Sequence, residues 1–424
     1  MSRLWVLKSL VMACSLALSV GCTSSSSEDD ESDSGSDTGT DTGTDTGTDT
    51  GTDTGTDTGT DTGTDTGGDD DFKVGLVTDV GRVDDGTFNQ YAYEGGVRAA
   101  SELGVTFDYA ESENSGDYEG HIETFAADGY DLIITLGFNM GTPTVEAAKN
   151  YPDQNFATVD WADFDSADGP PANFRGLLFA EDEAGYLAGV LAGGMTTAKN
   201  VGVMAGIPFP PLLKFANGYA QGVRSVCSDC TIQIVYAETF SEPSVGAMVA
   251  TDLIANGADV VFAAAGAAGG GAIKYAAANS VWAIGVDQDE FVTTFAGGDE
   301  PGAEYLLTSA LKKVDVSVYD TIKVAKEGNF SNDIGFFNVA SNGIGLADYH
   351  AAGSSISDEV HNSVTAAEAG LGDGSVATGV GGMGHMEDEA DKVEATCRDG
   401  EGTVMDCCLD DGGYPAPSFM DFCG

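Results

Sequence analysis

The 424-residue sequence predicts an α/β fold made of two Rossmann-like lobes with parallel sheets, joined by a hinge and separated by a cleft. From residue 72 onward, short β-branched runs alternate with helical segments, which is typical of a parallel sheet covered on both faces. The alternation runs through two similar units of about 100 residues each. Aromatic, acidic or glycine residues follow most of the candidate strands, where ligands bind in such sheets.

The first unit begins with an apolar segment that continues into a glycine-containing loop and an amphipathic segment. Its candidate strands are 73–78, 106–110, 131–136, 155–159 and 174–179. The helices that follow them are expected near 89–103, 118–128, 142–151 and 181–195. Because a helix follows each of these strands except the fourth, neighbouring strands are expected to be parallel.

The second unit repeats this pattern with strands at 200–205, 231–236, 259–263 and 281–286 and helices at 212–226, 245–255 and 272–278. A later segment contains a helix at 314–326 and a β-like run at 333–339, and we expect it to cross back to the first lobe. The folded two-lobe domain is therefore predicted at 72–380. Its first lobe would comprise about 72–180 plus 305–380, and its second lobe about 181–304.

Residues 1–22 have the pattern of a secretion signal: Arg3 and Lys8 precede an apolar run at 9–20, which is too short to span a bilayer. The small residues before Cys22 resemble the lipobox of bacterial lipoproteins, which implies diacylation of Cys22 and an extracytoplasmic, membrane-anchored protein at the periplasm or the cell surface. Ordinary signal cleavage, with Cys22 unmodified or paired with another thiol, is the alternative.

Residues 23–71 form an acidic repeat of Thr, Gly and Asp without an apolar side chain to bury before residue 72, so we expect a disordered tether rather than a calcium site. Such a chain has a root-mean-square reach of roughly 40 Å. The formal net charge of the whole sequence is −52, and the part between the tether and residue 380 is itself acidic. This excludes nucleic-acid binding through the phosphate backbone.

Six cysteines follow the tether, and an even number in an exported protein favours disulfides of undetermined connectivity. They are Cys227, Cys230, Cys397, Cys407, Cys408 and Cys423. We interpret the Cys-x-x-Cys segment at 227–230 as a structural bridge, since no second such motif or nearby histidine completes a zinc site. No metal or cofactor is predicted. Residues 381–424, which are acidic and cysteine-rich, are expected to form a small appendage.

The loop after the first strand has the composition of a site for a flat, hydroxylated small molecule. It contains Asp79, the ring of Phe88 and the amide of Asn89, which suit stacking and hydrogen bonding to such a ligand. The alternative is that the acids of this loop cap the next helix while Phe88 packs beneath it. Lys312 is the candidate cation for carboxylates buried in the cleft.

The run at residues 79–90, DVGRVDDGTFNQ, resembles the opening motif of the basic membrane protein family of lipoproteins. The similarity continues through YLAG at 186–189, NGADVVF at 256–262, GVD at 285–287 and TSALKKVD at 308–315. It covers about residues 73–380. This family supplies the substrate-binding components of nucleoside ABC importers, among them a purine nucleoside receptor, and its fold is that of type I periplasmic binding proteins.

The resemblance also implies roles for individual residues. Phe88 would stack on the base, Asp160 would meet the purine edge, and Gly266 would offer backbone N–H groups. Asp287 and Lys312 would bind the ribose. Phe240 or Phe262 would be the second stacking ring, and the sequence does not separate these two. The acidic segment 181–183 and the pair Ala267-Ala268 depart from the family pattern.

The sequence therefore predicts a monomeric, non-enzymatic receptor that closes on a purine nucleoside and delivers it to an ABC permease. A sensor of the same fold, which would present its closed form to a signalling receptor, is the alternative. A hydrolase that uses paired carboxylates is disfavoured, because the chain has no nucleophile elbow, HExxH motif or phosphate loop.

Overall fold

The computed structural model describes residues 72–164, 166, 169–384, 395–398 and 404–405, the last two segments by their backbone alone. Cys22, the tether, Cys407, Cys408 and Cys423 lie outside the described residues, as does the side chain of Cys397. The described residues form two α/β sheets, which confirms the two-lobe fold class.

The strands are β1 (Lys73–Val80), β2 (Thr106–Ser112), β3 (Leu132–Leu136), β4 (Asn155–Val159), β5 (Phe174–Phe179), β6 (Asn200–Ala205), β7 (Thr231–Tyr236), β8 (Val260–Ala264), β9 (Trp282–Asp287), β10 (Leu306–Lys312), β11 (Gly335–Phe337), β12 (Ile344–Leu346), β13 (Ala395–Arg398) and β14 (Val404–Met405). The α-helices are α1 (Phe88–Leu103), α2 (Tyr118–Ala127), α3 (Gly141–Asn150), α4 (Glu181–Met195), α5 (Pro210–Val226), α6 (Pro243–Ala255), α7 (Gly266–Ala278), α8 (Val314–Lys326) and α9 (Asp358–Asp373).

The sheet of the first lobe has the strand order β11-β5-β4-β3-β1-β2, and all its neighbouring strands are parallel. Its central strands are mostly apolar because helices cover both faces; every residue of β3 is buried. At the carboxyl end of β1, Asp85 accepts hydrogen bonds from the backbone N–H groups of Thr87, Asn89 and Gln90. This acid caps the start of α1 and fixes where Phe88 lies.

The sheet of the second lobe has the order β12-β10-β9-β8-β6-β7-β13-β14. Strands β6 to β10 are parallel to one another, whereas β12 pairs antiparallel with β10 and β14 pairs antiparallel with β13 at the two ends of the sheet. Strand β13 pairs parallel with β7, so the backbone of the C-terminal segment extends the sheet.

The segment 305–380 is divided between the lobes, whereas the sequence expectation assigned all of it to the first. Strand β10 lies beside β9 in the second sheet, because its almost fully buried apolar residues continue the strand-helix order there. Helix α8 then packs against α1, where Arg98 and Asp315 form an ion pair at 3.1 Å. Strand β11 joins β5 in the first sheet and β12 returns to the second.

Helix α4 follows β5 directly and packs closely against α5 through glycines on both helices. A methyl group at Gly189 would lie 2.1 Å from the carbonyl oxygen of Tyr219, and one at Gly222 would lie 2.0 Å from that of Tyr186. Glycine is required at both positions, since any side chain would push the helices apart. This close packing holds the start of α4, with Glu181, against the lobe that follows it.

Cys227 and Cys230 are joined by a disulfide at the end of α5, with their Cα atoms 5.4 Å apart. We expect alkylation of the oxidised protein to leave both thiols unlabelled until a reductant is added, as peptide mass spectrometry would show. Because the closed loop is short, the Cys227→Ser/Cys230→Ser variant should lose only about 2 kcal/mol in the free energy of unfolding. Labelling without reductant would contradict this assignment.

Candidate ligand-binding site

A cavity of about 240 Å³ lies between the two lobes, at the carboxyl ends of strands from both sheets. Eight of the nine residues that the sequence singles out as ligand-binding line it: Asp79, Phe88, Asn89, Asp160, Phe240, Gly266, Asp287 and Lys312. The parallel strands explain this convergence, since their ends meet at one edge of each sheet. The role of each residue toward a ligand stays a prediction.

The prediction that Phe262 could be the second stacking ring is wrong. Its side chain is fully buried in the core of the second lobe, where it stacks on Tyr219 at 5.4 Å between ring centroids and meets Phe215 edge-on. Side chains alternate along a strand, and this position of β8 faces α5. Phe240, beyond the end of β7, lines the cavity instead.

The first wall of the cavity is the loop after β1. The Asp79 carboxylate accepts hydrogen bonds from the Tyr118 hydroxyl and, at 2.7 Å, from the Val80 N–H. Burial raises the pKa of Asp79, and these two hydrogen bonds oppose the rise. Gly137, with φ 97°, is packed against this carboxylate: a Cβ there would lie 2.2 Å from Asp79 Oδ2. Because glycine has no side chain, this position leaves room for the Asp79 carboxylate.

Phe88 and Asn89 are the first two residues of α1, and both line the cavity. Phe88 is partly exposed, whereas Asn89 is only 3% exposed. The Asn89 side-chain oxygen is buried and finds no hydrogen-bond partner among the described residues. A buried acceptor without a partner costs free energy, so this amide is available to a ligand that donates a hydrogen bond.

The most buried polar feature is a cluster of four charged side chains, hereafter the charge cluster: Asp160, Lys312, Glu181 and Lys214. Lys312 lies 2.5 Å from Asp160 and 3.0 Å from Glu181, and the opposite Glu181 oxygen lies 3.0 Å from Lys214. Lys312 comes from the end of β10 and Asp160 from the end of β4, so their ion pair joins the two lobes. The sequence-predicted pairing of Lys312 with buried carboxylates is present here.

The ammonium of Lys312 also lies 5.1 Å from the ring centroids of Phe88 and Phe179. A cation at this distance from an aromatic face is attracted to it, more strongly when both are shielded from water. Lys312 therefore lies beside both the carboxylates and the ring of Phe88.

Burial raises the pKa of Asp287 to about 7; Lys312 opposes this rise, and the negative charge of Asp160 adds to it. The pKa of Asp160 is raised to about 6 by burial, against the pull of Lys312, with Glu181 raising it further. Burial by itself would raise the pKa of Glu181, but Lys214 and Lys312 hold this pKa below its ordinary value. Chiefly because it is buried, Asp287 is partly protonated near neutral pH and is then able to donate a hydrogen bond.

These shifts predict how the unliganded protein responds to pH. Besides Asp160 and Asp287, Glu290 has its pKa raised to about 8, chiefly by burial. Between about pH 4 and these pKa values, the three carboxyl groups keep their protons in the folded state, whereas they are ionised in the unfolded chain. The free energy of unfolding should therefore fall as the pH rises from 5 to 8. Melting curves should show this, and Asp287→Asn should flatten the dependence.

The exposed Asp153 offers a matched control, since Asp153→Asn removes a carboxylate outside the cavity. It should leave the slope of melting temperature against pH as in the wild type. A melting temperature that rises between pH 5 and pH 8 would contradict the assigned protonation of the buried acids.

Two aromatic rings meet across the cleft. Phe138, after β3, and Phe209, after β6, have ring centroids 5.6 Å apart and planes inclined by 24°. Phe209, Leu212 and Phe215 add an apolar wall that the sequence interpretation missed. Phe209 could have been predicted, because residues that follow a parallel strand are candidates for the site and Phe209 follows β6. No sequence signal marks Leu212 and Phe215, which lie on the first two turns of α5.

The lobes also touch through hydrogen bonds near this cavity. The Thr293 hydroxyl donates to the carbonyl of Gly86 at 2.9 Å, and the Gln288 side chain donates to the carbonyl of Thr87 at 3.3 Å. Each bond joins the loop after β9 to the loop after β1. The cavity is thus bordered by direct contacts between the lobes.

The described residues contain no group of three or more His, Cys, Asp and Glu side chains placed to hold a metal ion. No helix in the described part of the chain has the length and apolar character required to cross a membrane.

Comparison with known proteins places this geometry in a family. The sequence model of PnrA-like ABC transporter substrate-binding proteins, termed Bmp, matches residues 72–367. The chain is 32% identical over 320 residues to the ABC transporter nucleoside-binding protein BmpA of Lactococcus lactis, covering 72% of this chain and 88% of that protein. It is 33% identical over 292 residues to an uncharacterized lipoprotein of Pyrococcus abyssi, covering 65% and 69% of the two chains.

Among solved structures, the ABC transporter solute-binding protein of Aeropyrum pernix K1 superposes with a TM-score of 0.65 at 27% identity, covering 72% of this chain and 92% of that one. This structural similarity identifies the two-lobe architecture of the chain as the type I periplasmic-binding-protein fold. The matched family consists of substrate-binding proteins of ABC transporters, not of enzymes. The resemblance found in the sequence is therefore confirmed: the chain belongs to the Bmp family of PnrA-like ABC transporter substrate-binding proteins.

Proposed function

We propose that this protein binds a purine nucleoside between its lobes and delivers it, as a monomer, to the permease of an ABC importer. The observation that carries the proposal is the combination, in one cavity, of the Phe88 ring with buried carboxylates and the Lys312 ammonium. A flat base and a hydroxyl-bearing sugar require these two kinds of contact side by side. The nucleoside-binding relative in Lactococcus lactis supports this class of ligand.

The rings of Phe88 and Phe240 come from different lobes and both line the cavity. We assign the base to the space beside Phe88, where stacking on an aromatic ring contributes roughly 1–3 kcal/mol. Asn89 and Asp160 supply polar atoms for the edge of the base. The two fused rings of a purine offer more stacking area than a pyrimidine, which is why we favour purines.

We assign the ribose to Asp287 and Lys312, with Gly266 supplying backbone N–H groups at the start of α7. A carboxylate accepts from sugar hydroxyls, and the ammonium donates to their oxygens. The carboxylates around the cavity outnumber the basic groups, which disfavours a ligand that carries phosphate. A neutral nucleoside fits this balance.

The test is to identify any small molecule that co-purifies with the protein. The secreted full-length protein should be purified without denaturation, and the released small molecules analysed by mass spectrometry. Calorimetry with adenosine, guanosine, inosine, cytidine and uridine should then show tighter binding of the purine nucleosides. A folded protein that gives no heat with any riboside would overturn the proposal.

We further propose that Cys22 carries the lipid that anchors the protein outside the cytoplasm, with residues 23–71 as the spacer. The lipoprotein relative in Pyrococcus abyssi supports this assignment. Cells fed a labelled fatty acid should incorporate label into the wild type but not into Cys22→Ser, which should leave the membrane fraction. Equal labelling of both proteins would contradict the anchor.

A further inference from the structure

Two members of the charge cluster, Glu181 and Lys214, do not line the cavity, although both are buried beside it. The side chains of Glu181 and Lys214 are 1% and 12% exposed, and neither belongs to the cavity lining. Lys214 donates to Glu181 at 3.0 Å and to the carbonyl oxygen of Phe179, also at 3.0 Å. The assignments of the nucleoside above leave these two side chains without a function.

The geometry shows what Lys214 does to its neighbours. Glu181 presents one oxygen to Lys214 and the other to Lys312, so its single negative charge is shared between two ammonium groups. Lys312 has three hydrogen-bond donors; one donates to Asp160, and Glu181 lies at ion-pair distance, 3.0 Å. Donor capacity remains for a ligand, provided that Glu181 does not draw the ammonium out of the cavity.

Without Lys214, the full charge of Glu181 would act on Lys312 alone. In a site shielded from water this attraction is strong, and it competes with the pair between Lys312 and Asp160. A buried carboxylate that loses one of its two cations is left with less compensation, which favours a closer approach to the remaining cation. Lys312 would then move toward Glu181, away from Asp160 and from the ligand.

We propose that Lys214 is a positioning residue for ligand binding: it neutralises Glu181 from outside the cavity and so keeps the Lys312 ammonium paired with Asp160 and open to the ligand. The proposal rests on the proposed nucleoside function, because its test measures nucleoside affinity. Lys214 lies on α5 of the second lobe, whereas Asp160 belongs to the first. Its effect on binding is therefore exerted through the cluster and not by contact.

The experiment compares the wild type with Lys214→Met and the double variant Glu181→Gln/Lys214→Met, by calorimetry with the purine nucleoside that binds the wild type most tightly. Lys214→Met should weaken binding at least about tenfold, since it removes one of the two cations that compensate the buried Glu181 charge and leaves that charge to act on Lys312. The double variant removes both the Glu181 and the Lys214 charge and keeps a neutral oxygen beside Lys312. Its affinity should return to within about threefold of the wild type.

Arg98→Met is the matched control. It removes a cation that pairs with a carboxylate, Asp315, between α1 and α8 and outside the cavity lining. It should lower the melting temperature without changing nucleoside affinity. This separates a loss of stability from a loss of positioning.

The outcomes are distinct. If the wild type binds no nucleoside, the proposed function fails. If the wild type binds and folded Lys214→Met binds equally well, the positioning role fails while the function stands. If Lys214→Met does not fold, the double variant decides: wild-type affinity supports the neutralising role, and lost affinity in a folded double variant overturns it.

Discussion

Lys312→Met is expected to eliminate nucleoside binding and to lower the free energy of unfolding by about 3–5 kcal/mol. The ammonium is 2% exposed and is the only direct ion-pair partner of Asp160 among the described residues. Removing it leaves two buried carboxylates, Asp160 and Glu181, short of a cation, and it removes a donor from the cavity. Calorimetry should show binding weakened at least about a hundredfold, and denaturant titration should show the lost stability.

The neighbouring Lys313 provides the control, because it differs from Lys312 in its surroundings alone. Its ammonium lies 2.6 Å from the side-chain oxygen of Asn342 in an exposed contact. Lys313→Met should change affinity and stability little. Should Lys312→Met bind nucleoside like the wild type, the assignment of the ribose to this part of the cavity would be wrong.

Phe88→Ala should weaken nucleoside binding by about 5- to 150-fold, which corresponds to the roughly 1–3 kcal/mol of one aromatic stack. The melting temperature of the unliganded protein should stay nearly unchanged, because the ring lines the cavity and is already partly exposed to solvent. Calorimetry and thermal melts of the same preparation measure the two effects. Equal losses of affinity and stability would make Phe88 a core residue.

Phe336 is a suitable control for this truncation. It lies on the edge strand β11, is 55% exposed and does not line the cavity. Phe336→Ala should alter neither affinity nor melting temperature by much. The pair of variants therefore separates stacking on a ligand from the general loss of an aromatic ring.

The sequence predicted the two-lobe fold class, because it follows from local patterns, although it assigned β10 and β12 to the wrong lobe. Alternating β-branched and helical segments specify parallel strands, and the ends of such strands converge, so Asp79, Asp160 and Asp287 could be grouped without coordinates. The expectation that helix-capping acids lie in the loop after β1 was also met, by Asp85. Asp85 caps the helix and thereby holds Phe88 at the cavity, so the two interpretations of this loop are compatible.

What the sequence could not supply depends on contacts between distant positions. Glu181 and Lys214 are 33 residues apart on different helices, and no local pattern indicates that their side chains meet. Likewise, the sequence of β10 would suit a strand of either sheet, and only its pairing with β9 shows that it belongs to the second. Phe262 is the middle residue of β8 and faces the core, whereas Phe240 lies in the loop beyond β7, and the position of an aromatic residue near a predicted strand end does not by itself separate these two cases.

Within residues 72–384 the chain passes between the two sheets three times: after β5, after β10 and between β11 and β12. A single linker would allow the halves to swivel and slide in any direction. We expect three connections to restrain twisting and to favour bending about one axis. Ligand binding in the cleft would then change the angle between the halves, and a partner that contacts both halves would distinguish the filled protein by their spacing without touching the ligand.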